Sequence, residues 1–195
     1  MLRNGCCQRD IPALDGYDYW VVRALGLHNQ GKCGMESVYV ETTVISYLVA
    51  LPARDLVVAA HQQITLDWWG QRRPGFDCVI SQVVIDEVSR GDPAEARKRL
   101  AMVDTLNVLA ITTEVEDLTE SIMKSGILPL RAVRDAAHVA VAAIHGIQYL
   151  LTWNCKHLAN AQISRRIAGV CATSGFQMPI ICTPEELLEE IDDAE

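Results

Sequence analysis

Short apolar runs alternate with longer helical patterns from Met35 onward. The runs of strand length are SVYVE, DCVIS, NVLAI, QYLLT and PIIC, and most are flanked by polar or turn-forming residues. Between them lie amphipathic segments such as ARDLVVAAHQQITLDWW, where Leu56, Ala60, Ile64 and Trp68 recur about once per helical turn. Alternation of this kind predicts an α/β fold in three layers, with helices covering both faces of a mainly parallel sheet of about five strands.

Capping residues and glycines mark the boundaries of the predicted helices. The segment SQVVIDEVSRG opens with Ser81 as N-cap and stops at Gly91, and the next helix begins with Asp92 as cap and Pro93 at its first position. Two further helices, TTEVEDLTESIMKSG and PLRAVRDAAHVAVAAIHG, each end at a glycine. The segment TPEELLEEI is predicted to close the chain as a capped acidic helix.

Residues 1–34 show no sustained hydrophobic period, whereas MESVYVETT from Met35 has the character of a natural protein start. We therefore expect residues 1–34 to be an N-terminal extension, irregular or flexible, that contributes little to the core. Residues 35–195 are expected to form the single folded domain.

Composition narrows the class of protein. A chain of 195 residues that is 50% apolar is long enough for one domain with a substantial core. No apolar run reaches the roughly 18 residues of a membrane span, and the N-terminus lacks the apolar centre of a signal peptide. The seven cysteines show neither CxxC nor Cys/His pair spacing. These features predict a cytoplasmic protein without a membrane partner, with reduced structural thiols.

The formal net charge of −8 argues against a sequence-independent nucleic-acid coat, which is normally basic. It does not exclude a nuclease, because a metal-dependent enzyme needs a local acidic cluster and only a few basic residues for the substrate phosphates. The candidate phosphate contacts are Arg72, Arg73, Arg131, Arg134, Lys156 and His157.

Several polar residues fall where a parallel sheet places its functional crevice, at the carboxyl ends of the strands. Glu41 ends the first predicted strand, and Asn154 lies just beyond the strand YLLTW. Glu87 lies three and four residues from Val84 and Val83, so it shares the apolar side of its helix. These positions predict that acidic groups from distant parts of the chain meet at one edge.

Asp135 enters near the beginning of a helix that is apolar almost all round. A buried carboxylate without a partner is costly, so Arg131, Arg134 or a capped helix turn offers one explanation. The other is that Asp135 joins the remaining acids at a metal ion, since like charges in one site need neutralisation. Oxygen ligands without thiolates suit Mg²⁺ or Mn²⁺.

Three blocks of the chain, in this order, resemble the PIN domain, especially its VapC-like toxin branch. They run from about residue 37 to about residue 188 and are VYVETTVISYL, SQVVIDEV and RDAAHVAVAAIHGIQYLLTWNCKHLAN. The third block is the most specific. The resemblance implies a PIN-like, Rossmann-like nuclease domain over residues 35–195 that uses Mg²⁺ or Mn²⁺ to hydrolyse RNA, leaving 5′-phosphate and 3′-hydroxyl ends. It also implies a toxin of a type II toxin–antitoxin pair, with an antitoxin partner and a homodimeric state.

The resemblance assigns roles by position. Glu41 takes the place of the usual first aspartate, Glu87 matches the second acid and Asp135 the third, while Asn154 stands where a fourth acid is common. The resemblance thus implies that catalytic metal ligands are Glu41, Glu87, Asp135 and Asn154. Candidate substrate or phosphate contacts are Thr42, Thr152, Arg134, Lys156 and His157.

Three departures from the family pattern keep an alternative open. Glutamate at position 41 adds a methylene, Thr43 replaces a common asparagine, and Asn154 lacks a negative charge. A catalytically weak or silent PIN-like RNA-binding module is therefore the alternative. A haloacid-dehalogenase-like phosphatase is disfavoured, because VETTV lacks the paired aspartates of that nucleophile motif.

The remaining conspicuous side chains have structural interpretations. His138 and His145 lie on the buried helix and are expected to be satisfied core or helix-end residues. Trp68 and Trp69 end an amphipathic helix, which favours core or subunit contacts over base stacking.

Overall fold

A five-stranded, all-parallel sheet organises residues 34–188, the part of the chain that the structure, a computed structural model, describes. The strands are β1 (Glu36–Val40), β2 (Phe76–Ser81), β3 (Asn107–Leu109), β4 (Tyr149–Leu151) and β5 (Ile180–Cys182). Their order across the sheet is β3-β2-β1-β4-β5, and each neighbouring pair is parallel. The predicted α/β class is confirmed, and each of the five predicted strand runs overlaps one observed strand.

Seven α-helices join these strands. They are α1 (Thr42–Val49), α2 (Leu56–Asp67), α3 (Gln82–Val88), α4 (Pro93–Val103), α5 (Thr113–Lys124), α6 (Val133–Ile144) and α7 (Ala161–Thr173). A π-helical turn, Trp68–Arg72, extends α2. The patterns of α2 to α6 were recognisable in the sequence, whereas α1 and α7 were not predicted.

Helices cover both faces of the sheet. Val38, Tyr39 and Val40 of β1 are all fully buried, and because successive strand residues point to opposite faces, both faces must be covered. Helix α1 packs against α2, α3 and α4, while α5 packs against α6 and α7. This is the three-layer arrangement that the alternating pattern predicted.

Several sequence expectations fall at the margins of the described chain. Apart from Gly34, the expected N-terminal extension lies outside the described residues. Residues 184–188, where a C-terminal helix was predicted to begin, form a turn, and the Thr183 amide donates to the Glu186 carboxylate at 2.8 Å. Residues 189–195 lie outside the described residues. Within residues 34–188, no helix combines the length and apolar character needed to cross a membrane.

The described cysteines are free thiols. Three of them are buried and only Cys155 is exposed. Burial raises the pKa of the Cys78 thiol to about 12, which keeps it protonated and unreactive at neutral pH. The expectation of structural thiols therefore holds for this buried position.

The strand order reverses between β1 and β4. From β1 the chain builds outward through β2 and β3, then returns to place β4 on the other side of β1, followed by β5. In open parallel sheets, ligands bind at such a switch point, outside the carboxyl ends of the strands. Glu41 follows β1 directly and Thr152 follows β4 directly, so the topology places both residues at this point.

Candidate metal centre

Glu41 is the buried N-cap of α1, with only 4% of its surface exposed. Its Oε2 accepts hydrogen bonds from the Thr43 amide at 3.1 Å and from the Thr43 hydroxyl. The Thr152 hydroxyl donates to the same oxygen at 2.7 Å. Three donors on one oxygen fix the carboxylate at the switch point, and the helix N-terminus favours its negative charge.

Glu87 reaches the same place from α3. Its Oε2 accepts a hydrogen bond from the Thr42 hydroxyl at 2.6 Å and lies 3.1 Å from Nε2 of His138. Its Oε1 lies 3.7 Å from Nη1 of Arg134. Two adjacent threonines at the start of α1 therefore bind two different glutamates. Thr43 donates to Glu41, and Thr42 donates to Glu87.

The surroundings of Glu87 favour its ionised form. Desolvation of the half-buried side chain acts to raise its pKa, but hydrogen bonds from His138 and Thr42 and the electrostatic influence of His138 and Arg134 outweigh that effect. The pKa of Glu87 consequently lies below its usual value of 4.5.

This lowered pKa predicts a pH effect on stability. A group with a depressed folded-state pKa contributes stability above its unfolded pKa, and this contribution is lost as pH falls through the folded value. We expect the Tm of the wild-type protein in EDTA to fall more steeply below the usual pKa of 4.5 than that of Glu87→Gln. Thermal melts from about pH 3 to pH 7 check this. Tm values that fall in parallel for the two proteins as the pH is lowered would contradict a lowered pKa of Glu87.

His138, on α6, completes the group. It is 1% exposed, its Nε2 lies 3.9 Å from Oε1 of Glu41, and its Nδ1 lies 2.8 Å from the Tyr39 hydroxyl. That hydroxyl lies 2.6 Å from Oγ of Ser81. Burial raises the pKa of Tyr39, so the phenol stays protonated. Ser81 occupies the predicted N-cap position of α3, but its side chain makes no cap hydrogen bond and bonds to Tyr39 instead.

His138 is, as expected, a buried residue with a partner at each ring nitrogen, but its contacts with two acids were not predicted. One signal was available, because His138 lies one helical turn beyond Asp135 and shares its side of the helix. A fully buried imidazole also needs a partner at each nitrogen. What the sequence lacked was any indication that Tyr39 and Glu87 supply those partners.

Asp135 lies in an adjoining network. Its Oδ1 accepts a hydrogen bond from Nδ2 of Asn154 at 3.0 Å, and its Oδ2 lies 2.7 Å from Nδ1 of His157. The backbone amide of His157 donates to Oδ1 of Asn154 at 3.1 Å. The side chain that contacts Asp135 at this position is thus His157, whereas Arg134, offered as its partner by the sequence, lies beside Glu87.

Thr152 joins the two networks. Its hydroxyl donates to Glu41 and accepts a hydrogen bond from the backbone amide of Asn154 at 2.9 Å. Thr152 therefore links Glu41 to Asn154 and, through Asn154, to Asp135, whereas Glu87 joins the cluster through His138. Lys156, a predicted phosphate contact, follows Asn154 by two residues, and its side chain is exposed.

The donor atoms suit a divalent cation. Within residues 34–188, Glu41, Glu87 and His138 form the one group of acidic, histidine or cysteine side chains whose ligand atoms all lie within 4.8 Å of one another. Asp135 is outside that tight group. Carboxylate oxygens suit Mg²⁺ and Mn²⁺, and an imidazole nitrogen suits transition ions, so the residues present fit a metal of this class.

No protein-family model matches the chain, and none of the curated proteins compared with it matches either. Solved structures that are similar to it include the following two. A chain of VapBC2 from Rickettsia felis, bound to a DNA fragment from their promoter, has 13% identity and a TM-score of 0.48, with 75% of this chain and 97% of that chain covered. A chain of VapBC-1 from nontypeable Haemophilus influenzae has 16% identity and a TM-score of 0.47, with the same coverage of 75% and 97%. Similarity at this level does not transfer activity or partners, so function must be argued from the chain's own residues.

Proposed function

We propose that this chain is a metal-dependent endoribonuclease of the PIN type, which hydrolyses phosphodiester bonds in RNA. The observation that carries the proposal is the convergence of Glu41 and Glu87 at the switch point of a parallel sheet. Two ionised carboxylates in one half-buried place repel each other unless a cation neutralises them. The cation of the proposal is Mg²⁺ or Mn²⁺.

One oxygen of Glu41 is held by the protein, and the other is available to a ligand. Oε2 of Glu41 accepts all three of its hydrogen bonds, and Oε2 of Glu87 accepts the bond from Thr42. Among the described residues, no hydrogen-bond donor contacts Oε1 of Glu41. This pattern supports Oε1 of Glu41 as a metal-binding atom, with Glu87 binding through its carboxylate and with Asp135 and Asn154 retained in the proposed ligand set through their link to Thr152.

A divalent ion at this position would polarise the scissile phosphate and lower the pKa of an attacking water. The chain's own residues would hold the reactants. The threonine hydroxyls fix the carboxylates, Arg134 is close enough to Glu87 to bind a phosphate oxygen at the same place, and Lys156 and His157 flank the RNA backbone. Fixed geometry matters here, because a misplacement of about 1 Å can reduce a rate about 100-fold.

The partners in the proposal follow from the family resemblance of the three sequence blocks. They are an RNA substrate, an antitoxin protein and a second copy of the chain in a homodimer, in the cytoplasm. The toxin assignment is the finer part of the proposal and depends on the nuclease activity.

One observation favours the alternative, a catalytically silent PIN-like RNA-binding module. Cationic or donor groups of the chain itself, on His138 and Arg134, lie 3.1 Å and 3.7 Å from the Glu87 carboxylate. These groups offer a way to hold the acids together without a metal. The alternative predicts RNA binding without cleavage.

Incubation of the purified protein with single-stranded and hairpin RNA tests the proposal. We expect internal cleavage with Mn²⁺ or Mg²⁺, none in EDTA, and products that carry 5′-phosphate and 3′-hydroxyl ends. A gel-shift measurement on the same RNA distinguishes the alternative. Binding with no cleavage under any metal condition would favour the silent module, and cleavage that persists in EDTA would contradict the metal mechanism.

A further inference from the structure

We propose that His138 is a ligand of this metal and that its imidazole makes the site prefer Mn²⁺ to Mg²⁺, with Tyr39 as the residue that positions the ring. The inference rests on the metal centre of the proposed function. It adds a nitrogen donor that neither the sequence pattern nor the family resemblance supplied.

The distances around Nε2 of His138 fit shared coordination. Donor atoms bound at about 2.1 Å to one octahedral ion lie between about 3 Å and about 4.2 Å apart. Nε2 lies 3.1 Å from Oε2 of Glu87 and 3.9 Å from Oε1 of Glu41. The imidazole and the two carboxylates are thus already grouped as ligands of one ion would be.

The other ring nitrogen has a suitable partner. Metal-binding histidines usually bond their second nitrogen to an oxygen of the protein, which fixes the tautomer and the ring orientation. Nδ1 of His138 lies 2.8 Å from the Tyr39 hydroxyl, and that hydroxyl lies 2.6 Å from Oγ of Ser81. With Nδ1–H donating to Tyr39 and Tyr39 donating to Ser81, Nε2 is left with a lone pair directed at the glutamates.

The same chain of hydroxyls is compatible with the metal-free protein. If Ser81 donates to Tyr39 and Tyr39 donates to Nδ1, then Nε2 carries the hydrogen and donates to Glu87. The two arrangements differ only in hydroxyl rotation and imidazole tautomer. A serine and a tyrosine, each able to donate or accept, therefore let His138 serve both states.

The donor set determines the preferred metal. An imidazole nitrogen binds transition ions well, whereas Mg²⁺ strongly favours oxygen ligands. A purely acidic site would discriminate less between Mg²⁺ and Mn²⁺. We expect the wild-type protein to bind Mn²⁺ at least about 10-fold more tightly than Mg²⁺.

Electron paramagnetic resonance of Mn²⁺ bound to the wild-type protein tests the ligand directly. We expect nuclear coupling from one directly bound ¹⁴N atom. The coupling should disappear in His138→Gln and remain in His157→Gln, which controls for the other histidine near the carboxylates. Absence of nitrogen coupling in the Mn²⁺-bound wild-type protein would overturn the inference, as would its persistence in His138→Gln.

Calorimetric titration with Mn²⁺ and Mg²⁺ tests the role of Tyr39. Tyr39→Phe keeps the ring and removes only the hydroxyl, and loss of such a partner typically weakens metal binding by about 10- to 100-fold. We expect that loss for Mn²⁺, with a smaller one for Mg²⁺. His145→Gln, which removes a histidine at the end of the same helix, should leave both affinities unchanged. If Tyr39→Phe weakens the binding of both ions equally, Tyr39 does not act through the imidazole of His138.

These binding measurements separate the inference from the proposed function. Nitrogen coupling without RNA cleavage would support His138 as a metal ligand and reject the proposed nuclease activity. Metal-dependent cleavage without nitrogen coupling would support the nuclease and reject His138 as a ligand. If His138→Gln fails to fold, the wild-type spectrum and the Tyr39→Phe titration still decide the question.

Discussion

Replacing Glu41 with glutamine is expected to reduce RNA cleavage by more than about 100-fold, since loss of an outer-shell partner alone typically costs 10- to 100-fold. Glutamine keeps the size of the side chain and an acceptor for Thr43 and Thr152, but it removes the charge that is proposed to bind the metal. The Tm in EDTA should be unchanged or higher, because one of two neighbouring like charges is gone. Cleavage rates and thermal melts of the same preparation check both parts.

Two variants control this experiment. Glu36→Gln makes the same change at the opposite end of β1, where Glu36 is exposed and accepts a hydrogen bond from Tyr149 at 2.9 Å, and it should cleave RNA like the wild type. Glu41→Asp keeps the charge and should retain part of the activity. Wild-type activity in Glu41→Gln would remove Glu41 from the site.

Replacing Asp135 with asparagine is expected to reduce cleavage by about 10- to 100-fold or more, depending on whether it binds the metal or orients the groups that do. The side chain also anchors Asn154 and His157. Weakening of the hydrogen bond with His157 costs about 1 kcal/mol, which lowers the Tm in EDTA by about 2 to 4 °C for a domain of this size.

The response of Asp135→Asn to Mn²⁺ decides between these roles. A ligand stabilises the folded protein according to its affinity, so a metal-binding Asp135 requires a smaller Mn²⁺-induced rise in Tm in the variant. The control is Asp117→Asn, which makes the same change at an exposed position on α5 and should show the same Mn²⁺-induced rise in Tm as the wild type. If Asp135→Asn melts lower in EDTA and gains the full Mn²⁺ stabilisation, Asp135 is a structural partner of His157 and not a ligand.

The sheet could be predicted because its signals are local. Each strand is a short apolar run between polar residues, and β1 is buried on both faces, as such a run requires. Asp92 could be predicted as a cap for the same reason, and its side chain does accept from the amides of Ala94 and Glu95. Local chemistry was sufficient at these positions.

The two missed helices show where local signals fail. Helix α1 begins one residue after β1, so Val44 and Ile45 lie only three polar residues beyond the strand and resemble a continuation of its apolar run. Its start is marked by an unusual cap, Glu41, whose carboxylate accepts hydrogen bonds from the amide and the hydroxyl of Thr43. Helix α7 contains Ser164 and Gly169, both weak helix formers, which obscured its pattern.

The site was predictable only in part. The positions of Glu41 and Glu87 followed from strand ends and helical periodicity, which are properties of single elements. The chain linking His138 to Ser81 depends on three elements packed together, with Tyr39 separated from Ser81 by 42 residues and from His138 by 99. Such pairings arise from tertiary structure, and no period in the sequence encodes them.

The most direct test of the account is the rate of RNA cleavage as Mn²⁺ is returned to protein that has been stripped with EDTA. If Glu41 and Glu87 hold the catalytic metal, the single-turnover rate should rise from zero and saturate, with a midpoint equal to the Mn²⁺ dissociation constant from calorimetry in the same buffer. Cleavage should stay absent at every Mn²⁺ concentration in the Glu41→Gln, Glu87→Gln double variant. Cleavage by that double variant, or a wild-type rate that does not depend on Mn²⁺, would contradict the central claim.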